Sequence, residues 1–108
     1  MKIWLDDQYD DEVATKRRPP EGYIGVHTVN EAKRLIEEAE EKGEPIVHLS
    51  LDNDLGPEYS KDGGEGHCLL DWLIERGTFY DFDPHSQNVN ERDNMLRTKA
   101  RFWPKNHQ

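Results

Sequence analysis

The sequence predicts a small three-layer α/β domain, built on a parallel sheet of about four strands with flanking helices. Two observations predict it. Strand-like and helix-like segments alternate along the chain, and the short apolar runs at 2–5 and 46–51 each break off into aspartates. Continuous apolar runs of this length suit strands buried on both faces, and alternation with helices implies right-handed crossovers between parallel strands. With 108 residues there is room for one domain and one modest core.

Lys2-Ile3-Trp4-Leu5 is the first strand and ends in Asp6-Asp7. Residues 8–22 are polar and charged, with Pro19-Pro20 near their end, and read as a loop with at most one helical turn. A second strand covers Tyr23 to His27. Thr28-Val29-Asn30-Glu31 has the spacing of a capping box, after which Ala32, Leu35, Ile36 and Ala39 recur at helical spacing until Gly43 and Pro45. Ile46 to Leu51 is the third strand, followed by Asp52-Asn53-Asp54, and the glycine-rich stretch from Leu55 to Glu65 reads as a loop. The next helix runs from Gly66 to Arg76 with Cys68, Leu69, Trp72 and Leu73 inward, and Gly77 closes it. A weaker fourth strand is placed at about Thr78 to Phe82. A last helix starts near Asn90 and carries Met95, Leu96 and Phe102.

Charge and composition narrow the function. A formal net charge of -9 disfavours non-specific binding to DNA or RNA, which depends on neutralising phosphates with Lys and Arg. It is compatible with divalent cations, with a basic protein partner, or with plain solubility. No apolar run is long enough to cross a bilayer and the start lacks a signal-peptide pattern, so a cytoplasmic protein without membrane contact is expected. The single Cys68 excludes an internal disulfide and reads as a small buried hydrophobe in a reducing compartment.

In a doubly wound sheet of flavodoxin-like order, strands 1 and 3 are neighbours at the switch point where ligands bind. The acids at their ends then meet in space. Converging carboxylates cannot all stay ionised without a compensating cation, and oxygen-only donors select hard ions such as Mg²⁺, Mn²⁺ or Ca²⁺. Asp6, Asp7 and Asp52 are the leading metal ligands, with Asp54 beside them. The bland counterpart is that strand-end aspartates simply cap loops and helices. His85 and Ser86 follow the fourth strand and should rim the same crevice, one as a proton donor and the other as a hydrogen-bond donor to phosphate, unless they only shape a loop. His27 and His48 lie in strands and read as structural. His67 opens a helix from which it could reach the crevice but is not counted among the site residues, and His107 falls in the tail. Gly63-Gly64-Glu65-Gly66 lacks the Lys and spacing of a P-loop and reads as a flexible lid.

Trp-Leu-Asp-Asp (4–7), Pro-Pro-Glu-Gly-Tyr (19–23), Thr-Val-Asn-Glu-Ala (28–32) and Ser-Leu-Asp-Asn-Asp-Leu-Gly (50–56) occur in order. Asp71-Trp72-Leu73, His85-Ser86-Gln87-Asn88 and Met95 follow. Together they resemble the cyclic-phosphate-processing receiver-like domains, small bacterial and phage relatives of response-regulator receivers. The resemblance spans most of the chain and implies one receiver-like domain over 1–108, with its core at 1–103 and a tail at 104–108. It implies that Asp6, Asp7 and Asp52 form the acidic pocket and that His85, Ser86 and Asn88 match the family's His-Ser-x-Asn signature. Asn53 stands where the family often has His. The family's Arg after Asp-Asp is displaced by an insertion, which makes Arg17 or Arg18 the candidate phosphate-binding cation. A fifth strand and its terminal Lys are missing, which argues against Asp52 as a phosphoacceptor in a signalling relay.

The function expected from these readings is a phosphoesterase dependent on Mg²⁺ or Mn²⁺. Its substrate is a cyclic phosphate of a nucleotide or an RNA end, with His85 and Asp52 catalytic and Ser86, Asn88, Arg17 and Arg18 on the substrate. The alternative is a non-catalytic acidic module or phage-type inhibitor that sequesters a nucleotide or blocks a protein partner.

Overall fold

The computed structural model describes residues 1–105; His107 and the end of the expected tail lie outside the described residues. Four parallel strands, β1 (Lys2–Leu5), β2 (Tyr23–Val26), β3 (His48–Leu51) and β4 (Phe82–Pro84), form one sheet in the order β2-β1-β3-β4. This is the expected switch-point order, with β1 and β3 adjacent at the centre. The helices are α1 (Val29–Lys42), α2 (Gly56–Tyr59), α3 (His67–Arg76) and α4 (Val89–Phe102). No helix among the described residues is long and apolar enough to cross a membrane.

Helix α1 forms where its periodicity and cap place it. The Thr28 hydroxyl accepts the Glu31 N–H at 3.1 Å, and Gly43 ends the helix in the left-handed conformation, φ 72°. The capping box is only half made. The Glu31 carboxylate takes the Thr28 hydroxyl at 3.3 Å, and the same hydroxyl reaches Asp62 at 2.8 Å.

Three segments depart from expectation. The fourth strand is Phe82–Pro84 and not Thr78–Phe82. Phe79 and Tyr80 supplied the strand-like pattern but pack on the core from a connecting loop, where Trp103 stands edge-on to Phe79 and donates its indole N–H to the Tyr80 carbonyl at 2.7 Å. The short α2 forms inside the stretch expected to be irregular. In α4 only Met95 is buried. Leu96 and Phe102 are exposed, and Trp103, one residue past the helix, is the aromatic anchor of the core.

Ile3, Leu5, Leu49 and Leu51 point to the side where the buried faces of α1, α3 and α4 complete a single core. Strand alternation sends Trp4, Tyr23, Gly25, His48, Ser50 and Asp83 to the opposite face. The layer on that face is the irregular segment after β1 in place of helices. Tyr9 lies so close over Gly25 that a Cβ there would meet its ring at 2.3 Å, and the Trp4 indole donates to the Arg17 carbonyl at 3.0 Å. His27 and His48 are structural in this arrangement. His27 stacks on Tyr59 and bonds Asp10, while His48 joins Tyr23 to Asp83. Cys68 is half-buried, not fully enclosed as expected, as is Trp72. Leu70, which lies between them, turns into the core instead.

Candidate functional site

Leu5 and Leu51 are paired in register, so the next residues on each strand, Asp6 and Asp52, emerge side by side at the carboxyl edge of the sheet. The ladder continues through them: the Asp6 N–H donates to Val26 and the Asp52 N–H to Leu5. Carboxylate oxygens of Asp6, Asp7 and Asp52 lie within 4.8 Å of one another. Asp6 is fully buried and Asp52 nearly so at 2% exposure. Asp54 is exposed and stands outside this cluster, at the rim, where Asn53 and Asn88 donate to it at 3.3 and 3.4 Å.

Arg17 reaches into the cluster. Its Nε donates to Asp6 Oδ2 at 2.8 Å and its Nη2 to Asp52 Oδ2 at 2.6 Å. The one helical turn expected in this segment, a 3-10 turn at Thr15–Arg17, and the Trp4 bond to the Arg17 carbonyl hold the residue in place. Arg18 is exposed and does not line the crevice.

The carboxylates are not equivalent. Burial would raise the Asp6 pKa, but hydrogen bonds from His85, Arg17 and the Gln8 N–H outweigh it and hold Asp6 below the ordinary carboxylate value. Asp52 is pushed up to about 7. Its burial dominates, Arg17 opposes it, and Asp6, Asp7 and Asp54 add repulsion. Asp7 is also raised, first by burial and then by the charge on Asp6.

The His-Ser-x-Asn stretch is brought to this edge with a different division of labour from the one expected. The His85 ring stacks on Trp4, its centroid 4.0 Å away, with Nδ1 on Ser50 at 2.8 Å and Nε2 on Asp6 at 3.0 Å. It stands behind Asp6, with both nitrogens engaged, and not on the crevice wall. Buried Ser86 accepts the Asn88 N–H at 3.1 Å, and Asn88 in turn caps α4 by accepting the Glu91 N–H at 3.3 Å. Asn53 is buried and caps α3 from outside, accepting the His67 N–H at 2.9 Å, and donates to Glu91 at 3.0 Å. His67 contacts Asn53 and lines a separate hollow between α3 and α4.

The crevice itself has a volume of about 280 Å³. Asp7, Asp52, Asp54, Arg17, Ser86 and Asn88 line it, together with Gln8, Gly56 and Gln87. Sequence reasoning missed Gln8 and Gln87, which carry no charge or motif signal of their own beyond flanking Asp-Asp and His-Ser. It also missed Gly66, where a Cβ would fall 2.0 Å from the Asp52 carbonyl oxygen. The glycine there lets α3 start directly beneath the site.

With three carboxylates facing one guanidinium, the ionised cluster carries excess negative charge. Its all-oxygen donor set suits a hard divalent cation, so the residues present fit Mg²⁺ or Mn²⁺. Asp6 already accepts from Gln8, Arg17 and His85, which leaves Asp7 and Asp52 as the oxygens most open to an ion.

A family model described as "Cyclic-phosphate processing Receiver domain" matches residues 1–101. No curated protein and no solved structure matches the chain.

Proposed function

Because the chain belongs to the family of cyclic-phosphate processing receiver domains, we propose that it hydrolyses a cyclic phosphate ester of a nucleotide or RNA end in the crevice at the ends of β1 and β3. The observation that carries the reading is the meeting of Asp6, Asp7 and Asp52 with Arg17 laid across two of them. That arrangement presents anion-binding and cation-binding groups within one small cleft.

Asp7 and Asp52, with Asp6 behind them, would hold Mg²⁺ or Mn²⁺, which would supply Lewis acidity toward a phosphoryl oxygen and a lowered pKa for an attacking water. Arg17 offers its remaining N–H groups to the other oxygens, where a guanidinium fork matches phosphate geometry. The Asn88 amide lies at the rim and can donate to the same ligand. In hydrolysis water forms the new P–O bond, one ring P–O bond breaks, and the leaving alkoxide takes up a proton. His85 is a positioning residue in this scheme. It holds Asp6 in place and keeps it ionised, and the alkoxide draws its proton from water in the open cleft.

The test is a turnover screen of cyclic phosphates with Mg²⁺ and Mn²⁺, run on wild type, Asp7→Asn, His85→Ala and His85→Gln. Turnover should require metal and vanish in Asp7→Asn. His85→Ala should lose activity and His85→Gln regain much of it, because the Gln amide can still donate to Asp6. Absence of turnover with every substrate, together with tight binding of one of them, would replace hydrolysis by the second reading, a module that sequesters a nucleotide. The engagement of both His85 nitrogens, which leaves no imidazole proton for the crevice, favours that alternative.

A further inference from the structure

Beside the acidic crevice lies a second groove of about 340 Å³, and the two share three residues as their common wall, Gln8, Arg17 and Gln87. The far side of the second groove is formed by the inserted segment from Val13 to Lys16. We propose that this groove is the nucleobase subsite of the enzyme, so that its substrates are nucleoside cyclic phosphates and not simple alkyl ones. The inference rests on the phosphate reading of the neighbouring crevice and extends it to what lies on the other side of the phosphorus.

Four features carry it. The grooves are contiguous across Arg17, so a phosphate held by that guanidinium directs its ester substituent over the shared wall. Gln8 and Gln87 are both exposed, and each carboxamide offers a donor and an acceptor, the pattern that reads the edge of a planar heterocycle. Val13 is 91% exposed on a segment that is mostly polar and charged, and with Ala14 it gives the groove an apolar wall against which a base can pack. Lys16 stands at the same groove and would meet a second phosphate, as the penultimate nucleotide of an RNA end supplies.

Calorimetric titration in Mg²⁺ tests this with two probes that the proposed activity cannot consume: inorganic phosphate and a nucleoside 3′-monophosphate. The nucleotide should bind at least about tenfold more tightly. Gln8→Ala combined with Gln87→Ala should remove most of that advantage. Val13→Ser, which touches only the second groove, should weaken the nucleotide about threefold and leave inorganic phosphate unchanged. Equal affinity for the two probes, or a nucleotide advantage that survives the double substitution, overturns the subsite while leaving the phosphate crevice intact. Failure of both probes to bind overturns the crevice reading and the subsite with it.

Discussion

Replacing Asp52 by Asn should make the metal-free protein more stable at alkaline pH, against the usual outcome of altering a buried site. In the folded protein Asp52 titrates at about 7, against 3.8 for an unperturbed aspartate. Between those values the folded state holds a proton that the unfolded state has released, so stability falls as pH rises through the interval. Each pH unit costs about 1.4 kcal/mol, and pH 5 lies about two units below the folded value, so about 2–3 kcal/mol should be lost between pH 5 and 8. Asp7, raised as well, acts in the same direction. Asp6 and Glu40 are lowered, so their contributions are lost only as pH falls below the ordinary carboxylate range, outside this window. Asp52→Asn removes the titration while its amide oxygen can still accept from Arg17. Urea unfolding in chelator at pH 5 and 8 should therefore show a strong decline for wild type and a much shallower one for the variant. Adding Mg²⁺ at pH 8 should restore wild type by mass action, about 2.7 kcal/mol at one hundred times its dissociation constant, and leave the variant almost unchanged. A wild-type stability that stays level or rises from pH 5 to 8 would refute the account of three crowded carboxylates.

Other positions probe what supports the site. Arg17→Ala leaves two buried carboxylates without their cation and should cost about 3–5 kcal/mol at pH 8 in chelator, with a smaller loss at pH 5 where Asp52 can protonate; equal losses at both pH values would contradict this. Gly66→Ala drives a methyl into the Asp52 carbonyl and should destabilise by about 2 kcal/mol or more in chemical denaturation, because backbone and not a flexible side chain must yield.

The sequence made α1 legible because cap, apolar period and terminal glycine agree within one short stretch, and all three are local signals. It made β1 and β3 legible because their apolar runs end in aspartate, and the acidic cluster followed from their adjacency alone. It misplaced β4 because Phe79 and Tyr80 look like strand residues, whereas the deciding fact is a contact with Trp103 more than twenty residues away. Arg17 was visible only as one of two adjacent arginines on a polar insertion. Nothing local distinguishes it from Arg18. The difference arises from the 3-10 turn and the Trp4 indole, which together aim one side chain at the cluster and leave its neighbour in solvent. The His-Ser-x-Asn signature is legible as a motif but its roles are not, since its parts serve Asp6, a loop turn and the cap of α4 in succession.

The inequality among the carboxylates has a consequence for how such a crevice can work. Groups whose surroundings push their pKa values apart take different roles even when they are chemically identical. Asp6 is surrounded by donors that hold it below the ordinary carboxylate range, and its charge is part of what keeps Asp7 and Asp52 reluctant to ionise. A proton and a divalent cation therefore compete for Asp7 and Asp52, while Asp6 is committed. His85 belongs to this logic and not to the crevice wall. Set between Ser50 and Asp6 and backed by Trp4, it helps to hold in place the one charge against which the other two are tuned. Removing His85 should then alter metal binding through Asp6 before it alters any proton transfer to a substrate.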